Sequence, residues 1–242
     1  MVPRSCEATT SGPVGGFVVV PRSGGGDRVL ARLQPATDAA YRRLVASAAA
    51  EVERALGPNV FGNRVAPSSD LELRSWRGPW RSFAAARRDL RRQWPVLVKA
   101  DVRDCYPSIA PAVVERSLLR LGAHLEIVRR LRRLLDAIGD DGVRGLPVGP
   151  EASAVLANAA LLVMDGTLAA QGCPHVRWVD DVWAGARSGR HAERTLAALR
   201  RSLGRAGLEL NEEKTMVIDS ADALALDAET HASGLTGAMG GR

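Results

Sequence analysis

Three aspartates in this chain are not explained by the residues around them. Asp180 and Asp181 are adjacent and lie between two runs of strand-forming residues, where Asp is disfavoured and neighbouring anions repel each other. Asp101 directly follows the apolar run 96–100, which has the composition of a buried strand. The pair at 180–181 is either a hairpin turn, since Asp is common in turns, or a site that requires a cation.

Strand alternation over residues 175–183 places side chains on two faces: Val176, Trp178, Asp180 and Val182 on one, and Arg177, Val179 and Asp181 on the other. We therefore expect one aspartate to point directly at a shared metal and the other to lie beside it. Because Asp101 is distant in sequence, only a fold that aligns its strand end with the hairpin can bring all three together.

A glycine-rich turn near the N-terminus connects two short predicted strands, 17–20 and 29–31, and is flanked by Arg22 and Arg28. This segment is either a surface ribbon with solvated charges or a hairpin whose two guanidinium groups grip a triphosphate.

Helical spacing of apolar residues predicts the elements that must position these groups. The predicted helices span residues 35–56, 82–94, 111–121, 125–138 and 151–168, and a last helix begins near 192 and ends at Gly204 or Gly207. The segment 151–168 is apolar nearly all round, which is typical of a buried helix. We expect its polar exceptions, Ser153 and Asn158, to face a partner or a ligand.

The helix predicted at 82–94 carries a cluster of arginines that the spacing places on one basic face: Arg87, Arg88, Arg91 and Arg92. This face is either solvated or a track for a phosphate backbone. The whole chain has a formal charge of +6, and its basic residues are mostly arginines, which favour phosphates and planar partners. The composition therefore favours nucleic acid or nucleotides as partners.

The three cysteines, Cys6, Cys105 and Cys173, have neither the spacing of a metal site nor that of a disulfide framework. No apolar run reaches the length of a membrane span, and residues 1–25 lack the core of a signal peptide. The sequence thus predicts a cytoplasmic protein without a membrane partner.

Taken in chain order, the motifs of this sequence resemble those of reverse transcriptases over about residues 17–218. The matching segments are 98–109 (first palm motif), 145–165 (second), 178–181 (the Tyr-x-Asp-Asp motif), 207–215 (fourth), and 19–22 with 28–30 (fingers hairpin). The resemblance implies an α+β, right-hand polymerase fold, with fingers at 16–95 and an antiparallel palm sheet packed on helices at 96–218. We expect a flexible N-terminus at 1–15 and a flexible tail at 219–242.

The resemblance implies an RNA-directed DNA polymerase that adds deoxynucleotides to a primer on an RNA template. It uses two Mg²⁺ ions about 4 Å apart, with Mn²⁺ as a possible substitute. The implied metal-site residues are Asp101, Val102, Asp180 and Asp181. After Ile218 no primer grip or helical thumb is recognisable, which predicts low processivity unless a protein or RNA partner supplies that surface.

The nucleotide-binding residues that the resemblance implies are Arg22, Arg28, Arg103, Asp104, Cys105, Tyr106, Val148 and Lys214. Backbone amides from 102–105 would face the triphosphate, and the two hairpin arginines would close over it. Tyr106 would lie under the sugar and exclude a 2′-hydroxyl. Lys214 would protonate the departing pyrophosphate, although a lysine there is also compatible with simple solvation.

Three residues depart from the usual pattern: Trp178 replaces Tyr, Val148 stands where many members have Gln, and Arg22 replaces Lys. The form of segment 145–150 is similar to bacterial abortive-infection and antiphage-defence reverse transcriptases, some of which extend without a template. The alternatives are therefore a template-independent terminal nucleotidyltransferase and a non-catalytic RNA-binding scaffold. An RNA-copying RNA polymerase is disfavoured, because such enzymes have Gly before the Asp-Asp pair and Asp at position 106.

Overall fold

The computed structural model describes residues 4–7, 12–21, 26–66 and 71–221. Within these ranges there are seven strands, paired antiparallel in two sheets, and seven helices, which confirms the α+β class. The strands are β1 Arg4–Glu7, β2 Val14–Pro21, β3 Asp27–Leu33, β4 Val96–Ala100, β5 His175–Trp178, β6 Asp181–Ala186 and β7 Met216–Asp219. The helices are α1 Pro35–Ala55, α2 Arg77–Gln93, α3 Cys105–Ser108, α4 Pro111–Arg120, α5 Leu125–Asp140, α6 Glu151–Ala170 and α7 Gly189–Arg205.

The first sheet has the order β1-β2-β3 and is antiparallel throughout. Strand β1, which pairs with β2, and the start of β2 at Val14 both lie within segment 1–15, where the sequence predicts a flexible N-terminus. The sequence of β1 has no apolar periodicity, so its strand form comes from hydrogen bonding to β2 rather than from its own pattern.

The second sheet has the order β5-β6-β4-β7, with antiparallel pairing between all neighbours. One face packs on α7, which in turn packs on α6. The opposite face packs on α2. The sheet therefore lies between a large helical layer and a single amphipathic helix, and the loops at one end of its strands carry the three aspartates.

Helix α6 is the centre of the core, as its composition predicts. Its length and composition would also allow it to cross a membrane, which corrects the expectation that no apolar run is long enough. Inside the fold, 67% of the most apolar stretch of α6 is buried, and the helix packs against α1, α4 and α7. The apolar surface of α6 is thus used by neighbouring helices.

Helix α2 begins at Arg77, five residues before the predicted start at Ser82. The predicted single basic face is wrong for Arg87, which is 5% exposed and lies over the Trp183 ring at 5.0 Å. Arg88 and Arg92 are exposed. The helix turns Phe83 and Arg87 toward the sheet because those positions are one turn apart.

Candidate active site

The pairing of β4 with β6 brings the three aspartates to one end of the second sheet. The register ends at Ala100 opposite Val182, so the next position along each strand places Asp101 beside Asp181. Asp180 lies in the turn between β5 and β6. This confirms that the strand end and the hairpin are aligned, as the sequence required.

The turn between β5 and β6 overturns the predicted alternation of faces. Trp178 pairs with Asp181, and Arg177 pairs with Val182, so the members of each pair share a face. The intervening residues 179–180 form the turn and interrupt the period of two. Val179 adopts a left-handed backbone with φ of 55°, which is strained for a β-branched residue.

The carboxylates repel one another in this arrangement. Burial raises the pKa of Asp180 from its ordinary value of 3.8 to about 7, and the negative charges of Asp101 and Asp181 add to the rise. Burial also raises the pKa of Asp101 and of Asp181. Asp181 Oδ1 is buried and has no hydrogen-bond partner within the part of the chain that the structure describes. Such an oxygen is suited to a cation.

Three basic side chains compensate for this negative charge. Lys214 Nζ lies 3.7 Å from Asp101 Oδ2 and lowers the pKa of Asp101, although burial outweighs it. Lys99, over the Trp183 ring at 5.5 Å, and Arg87 act in the same direction on the pKa of Asp181. Sequence reasoning missed both, although a lysine in the otherwise apolar strand β4, two residues before Asp101, was a usable signal.

The three carboxylates do not form a ready-made metal cluster. Within the described ranges, no three His, Cys, Asp or Glu side chains converge closely enough to hold an ion. Asp101 is instead engaged by Lys214 and by the side chain of Asn211. The donor chemistry fits a hard divalent cation, since carboxylate oxygens and the orphaned Asp181 Oδ1 are present, but binding would have to draw these oxygens together.

The segment 209–211 pairs with the residues after β4. The Arg103 N–H donates to Glu209 O at 2.9 Å, and the Asn211 N–H donates to Asp101 O at 2.8 Å. The expectation that all amides from 102–105 face a triphosphate is therefore wrong for Arg103, whose N–H is already used. These two bonds flank Val102, so the Val102 carbonyl points away from segment 209–211.

The side chains of Arg103 and Asp104 lie on the surface. Both line a cleft of about 330 Å³ with Arg144 and Glu209. Cys105 is buried, and burial raises the pKa of its thiol well above its ordinary value. The contacts of Arg103 and Asp104 with a nucleotide stay predictions, and the buried thiol of Cys105 is not accessible to one.

Tyr106 is fixed at both ends. Its hydroxyl accepts a hydrogen bond from Asn63 Nδ2 at 3.2 Å, and its carbonyl accepts one from the Leu146 N–H at 2.9 Å. Burial raises the pKa of Tyr106 above its ordinary value. A Cβ on Gly145, whose φ is 64°, would lie 2.4 Å from Pro107 O, so segment 145–150 can approach Tyr106 only with glycine there.

The first sheet contacts the same region through Val148. The Ala31 N–H of β3 donates to Val148 O at 2.9 Å. Arg28 is exposed on β3 opposite Val20, whereas Arg22 lies outside the described residues. The grip of the two arginines on a triphosphate stays a prediction.

A buried arginine holds the hairpin turn from behind. Arg177 is fully buried and binds Asp165 through two hydrogen bonds of 2.7 and 2.8 Å. Its Nη1 also donates to Val179 O at 2.8 Å and to Asn158 Oδ1 at 3.0 Å. Arg177 thus stabilises the left-handed Val179 next to Asp180. No sequence signal distinguished this arginine from a solvated one.

The polar residues of α6 face the protein, contrary to prediction. Asn158 Nδ2 donates to the carbonyls of Gly62 and Asn63, at 3.1 Å each. Ser153 shares a hydrogen bond of 3.0 Å with the Tyr41 hydroxyl. Because Asn63 also binds Tyr106, Asn158 connects the hairpin turn with the residue predicted to lie under the sugar.

Trp178 belongs to an aromatic cluster on the α2 side of the sheet. Its ring lies 5.0 Å from that of Trp80, edge to face, and 5.9 Å from that of Phe83. Phe61 completes the cluster against Phe83. The indole that replaces the usual Tyr is therefore held by α2, which the sequence did not indicate.

Comparisons with known proteins agree with this geometry. Residues 41–226 match the family model described as reverse transcriptase (RNA-dependent DNA polymerase). No curated protein matches the chain.

Solved structures with a similar fold include two yeast telomerases. One is telomerase from Candida albicans with a TWJ fragment of telomeric RNA, at a TM-score of 0.51 and 13% identity, over 84% of this chain and 41% of that one. The other is apo telomerase from Candida tropicalis, at a TM-score of 0.59 and 13% identity, over 90% of this chain and 46% of that one. The chain thus spans less than half the length of either, and the likeness is one of fold. By its family match, the chain belongs to the reverse transcriptase family.

Proposed function

We propose that this chain is an RNA-directed DNA polymerase that adds deoxynucleotides to the 3′ end of a primer on an RNA template. The observation that carries the proposal is the meeting of Asp101 with Asp180 and Asp181 at one end of the sheet, where Asp181 Oδ1 lacks a hydrogen-bond partner among the described residues. Family membership supports the reaction class.

The residues that would hold two Mg²⁺ or Mn²⁺ ions are Asp101, Asp180, Asp181 and the carbonyl of Val102. Hard cations take oxygen ligands, and these four groups offer them at the same end of the sheet, where binding would draw them together. When bound, such a pair of cations would activate the primer hydroxyl and neutralise the triphosphate. The mutual repulsion of the aspartates supports this assignment, because a cation would relieve it.

The other groups of the site would orient the substrates. Tyr106, held by Asn63, would place its ring under the sugar and reject a ribonucleotide. Lys214, close to Asp101, would supply positive charge and a proton to the departing pyrophosphate. Arg28 and Arg22 would bind the outer phosphates of the incoming triphosphate.

A second candidate is template-independent extension, as in abortive-infection enzymes of antiphage defence. It is favoured by one observation: Val148 places an apolar side chain where a Gln amide would otherwise contact the nucleotide or template, and its carbonyl is already bound to β3. A template-omission assay separates the two candidates.

The test is primer extension with Mg²⁺, an RNA template, a DNA primer and labelled deoxynucleotides. We expect Asp180→Asn to reduce incorporation at least about a thousandfold, which corresponds to ~4 kcal/mol of transition-state stabilisation. The matched control is Asp89→Asn, which removes the same charge from the exposed face of α2 and should change the rate less than about twofold.

The outcomes discriminate among the three classes. Incorporation that persists without template, and that still requires Asp180, would favour the terminal transferase. RNA binding without any incorporation, with or without metal, would contradict both enzymatic candidates and favour a scaffold.

A further inference from the structure

Four arginines of α7 form a straight stripe on the protein surface. We call Arg190, Arg194, Arg201 and Arg205 the α7 stripe. At 100° and 1.5 Å per residue, these four positions fall within an arc of about 60° and extend over about 22 Å. All four side chains are exposed.

The opposite side of α7 is buried in the core. Its buried positions include Ala192, Leu199 and Leu203, and the helix packs on α6 and on strands β4, β6 and β7. The α7 stripe therefore points straight to solvent. It lies beyond the sheet face opposite α2, whereas Trp178 and Asp181 belong to the α2 face. The stripe is thus separate from the candidate active site.

The α7 stripe is not neutralised by acidic side chains. None of its four arginines makes an ion pair or a side-chain hydrogen bond in the part of the chain that the structure describes. On α5, by contrast, Arg132 binds Asp136 and Glu115, and Arg133 lies 3.5 Å from Glu126. The α7 residue Arg200, which lies off the stripe, pairs with Glu212.

Unpaired like charges on a helix have a cost. Two pairs within the stripe, Arg190 with Arg194 and Arg201 with Arg205, are four residues apart, and like charges at this spacing destabilise a helix. The only acidic residue on the helix is Glu193, at the border of the stripe. An anionic partner would convert these repulsions into attractions.

The chemistry of that partner follows from the shape and the residue type. Guanidinium groups bind phosphate oxygens in a bidentate manner, and a line of them fits a repeating phosphate chain better than a compact anion. We infer that the α7 stripe binds the sugar–phosphate backbone of single-stranded RNA outside the active site. The choice of RNA rests on the proposed function, in which RNA is the strand copied; the stripe would hold the template beyond the reacting duplex.

The test measures binding of the full chain to a fluorescein-labelled oligouridine RNA of about 40 nucleotides by anisotropy, without metal or nucleotide. The test variant changes Arg190, Arg194, Arg201 and Arg205 together to Gln. The matched control changes Arg116, Arg120, Arg129 and Arg130 to Gln, which removes the same charge from exposed positions of α4 and α5.

We expect the stripe variant to bind at least about tenfold more weakly at 100 mM salt, with the slope of log K against log salt reduced by about 3, since each phosphate contact contributes about 0.7. The control variant should bind within about twofold of the original chain. Equal losses in both variants, or no loss in the stripe variant, would overturn the inference.

Two further measurements keep the result unambiguous. If the quadruple variant fails to melt cooperatively, Arg194→Gln with Arg201→Gln replaces it, with an expected slope change of about 1.4. If the stripe variant lost binding only to polyglutamate or to phosphatidylserine vesicles and still bound RNA as the original chain does, RNA would not be the partner.

This test separates the stripe from the proposed function. Binding is measured without turnover, so a chain that fails to polymerise can still show stripe-dependent RNA binding. In an active chain, we expect the stripe variant to raise the KM for a long RNA template severalfold, while kcat on a short hairpin primer-template stays unchanged. A fall in kcat with an unchanged KM would argue against a template-holding surface.

Discussion

The two faces of the second sheet have opposite chemistry. On β4 and β6 the face toward α6 and α7 is aliphatic, with Val98, Ala100 and Val182 fully buried in the large core cluster. On β5 the same face carries one buried charge, Arg177, which is paired with Asp165 of α6. The face toward α2 carries Lys99, Trp183 and Asp181, with Arg87 inserted between helix and sheet. The α6 face thus holds a single buried charge that is fully paired, whereas the α2 face combines an apolar cluster with charges that are only partly compensated.

This difference shows where the protein accepts instability for the sake of function. Buried charges lower stability unless they are paired, and unmatched carboxylates lower it further. On the α2 face, the buried charges lie close to Asp101, Asp180 and Asp181. The α6 face compensates by aliphatic burial. Four predictions test this contrast between the faces, and the expected change is greatest for the first and least for the last.

The first prediction concerns the buried pair behind the hairpin, where a charge is fully compensated. Burial alone would raise the pKa of Asp165, but hydrogen bonds from His175 and Arg177 hold it below its ordinary value. Asp165→Asn leaves Arg177 as a buried charge without its carboxylate, so we expect a loss of roughly 3–5 kcal/mol in the free energy of unfolding. Urea denaturation measures this loss. A loss below about 1 kcal/mol would show that water replaces the carboxylate.

The second prediction tests the aliphatic face. Leu161 of α6 is fully buried, and Leu161→Ala should lower the free energy of unfolding by about 2–5 kcal/mol, because it leaves a cavity. The control, Leu119→Ala on the exposed side of α4, should cost less than about 0.5 kcal/mol. Similar losses in both variants would mean that α6 is not the centre of stability.

The third prediction uses the raised pKa of Asp180. Because this pKa is higher in the folded chain (about 7) than its ordinary 3.8, the folded state retains a proton that the unfolded state releases. Without metal, the contribution of Asp180 to the free energy of unfolding should therefore be most favourable below about pH 4. It should fall by roughly 2–4 kcal/mol as the pH rises to 7. The raised pKa values of Asp101 and Asp181 act in the same direction.

Thermal melting in EDTA across this pH range is the measurement. We expect Asp180→Asn to flatten the profile and to be more stable than the original chain at pH 8. Added Mg²⁺ should stabilise the original chain at pH 8 more than at pH 5.5, and should have little effect on the variant. A flat profile in the original chain would contradict a repulsive carboxylate cluster.

The fourth prediction concerns the aromatic cluster. Trp178→Tyr restores the side chain common in the family but loses part of the edge-to-face contact with Trp80, so we expect a loss of about 0.5–1.5 kcal/mol in stability. A double-mutant cycle with Trp80→Leu should give a coupling energy of similar size. No coupling would indicate that Trp178 does not depend on α2 for its position.

The site was predictable to different depths for different residues. The three aspartates were identified from their types and order, and Tyr106 and Lys214 from the resemblance to reverse transcriptases. The structure places all five in one region. The roles of Lys99, Arg87 and Arg177 were not, because a strand or helix pattern does not say which neighbouring element covers a charged side chain. The sequence predicts that the Arg103 N–H faces a triphosphate, but in the structure it donates to Glu209 O. This hydrogen bond joins segments far apart in the chain, which a sequence pattern does not reveal.

The sequence by itself determined the elements: a continuous apolar strand before Asp101, an all-round apolar α6, and a hairpin interrupted by two aspartates. These follow from local periodicity, which the backbone geometry of helices and strands imposes. Only the tertiary structure decided which face each charge occupies, because burial depends on contacts between segments far apart in the chain. That is why Arg177 is a buried support of the hairpin turn while the arginines of the α7 stripe remain in solvent.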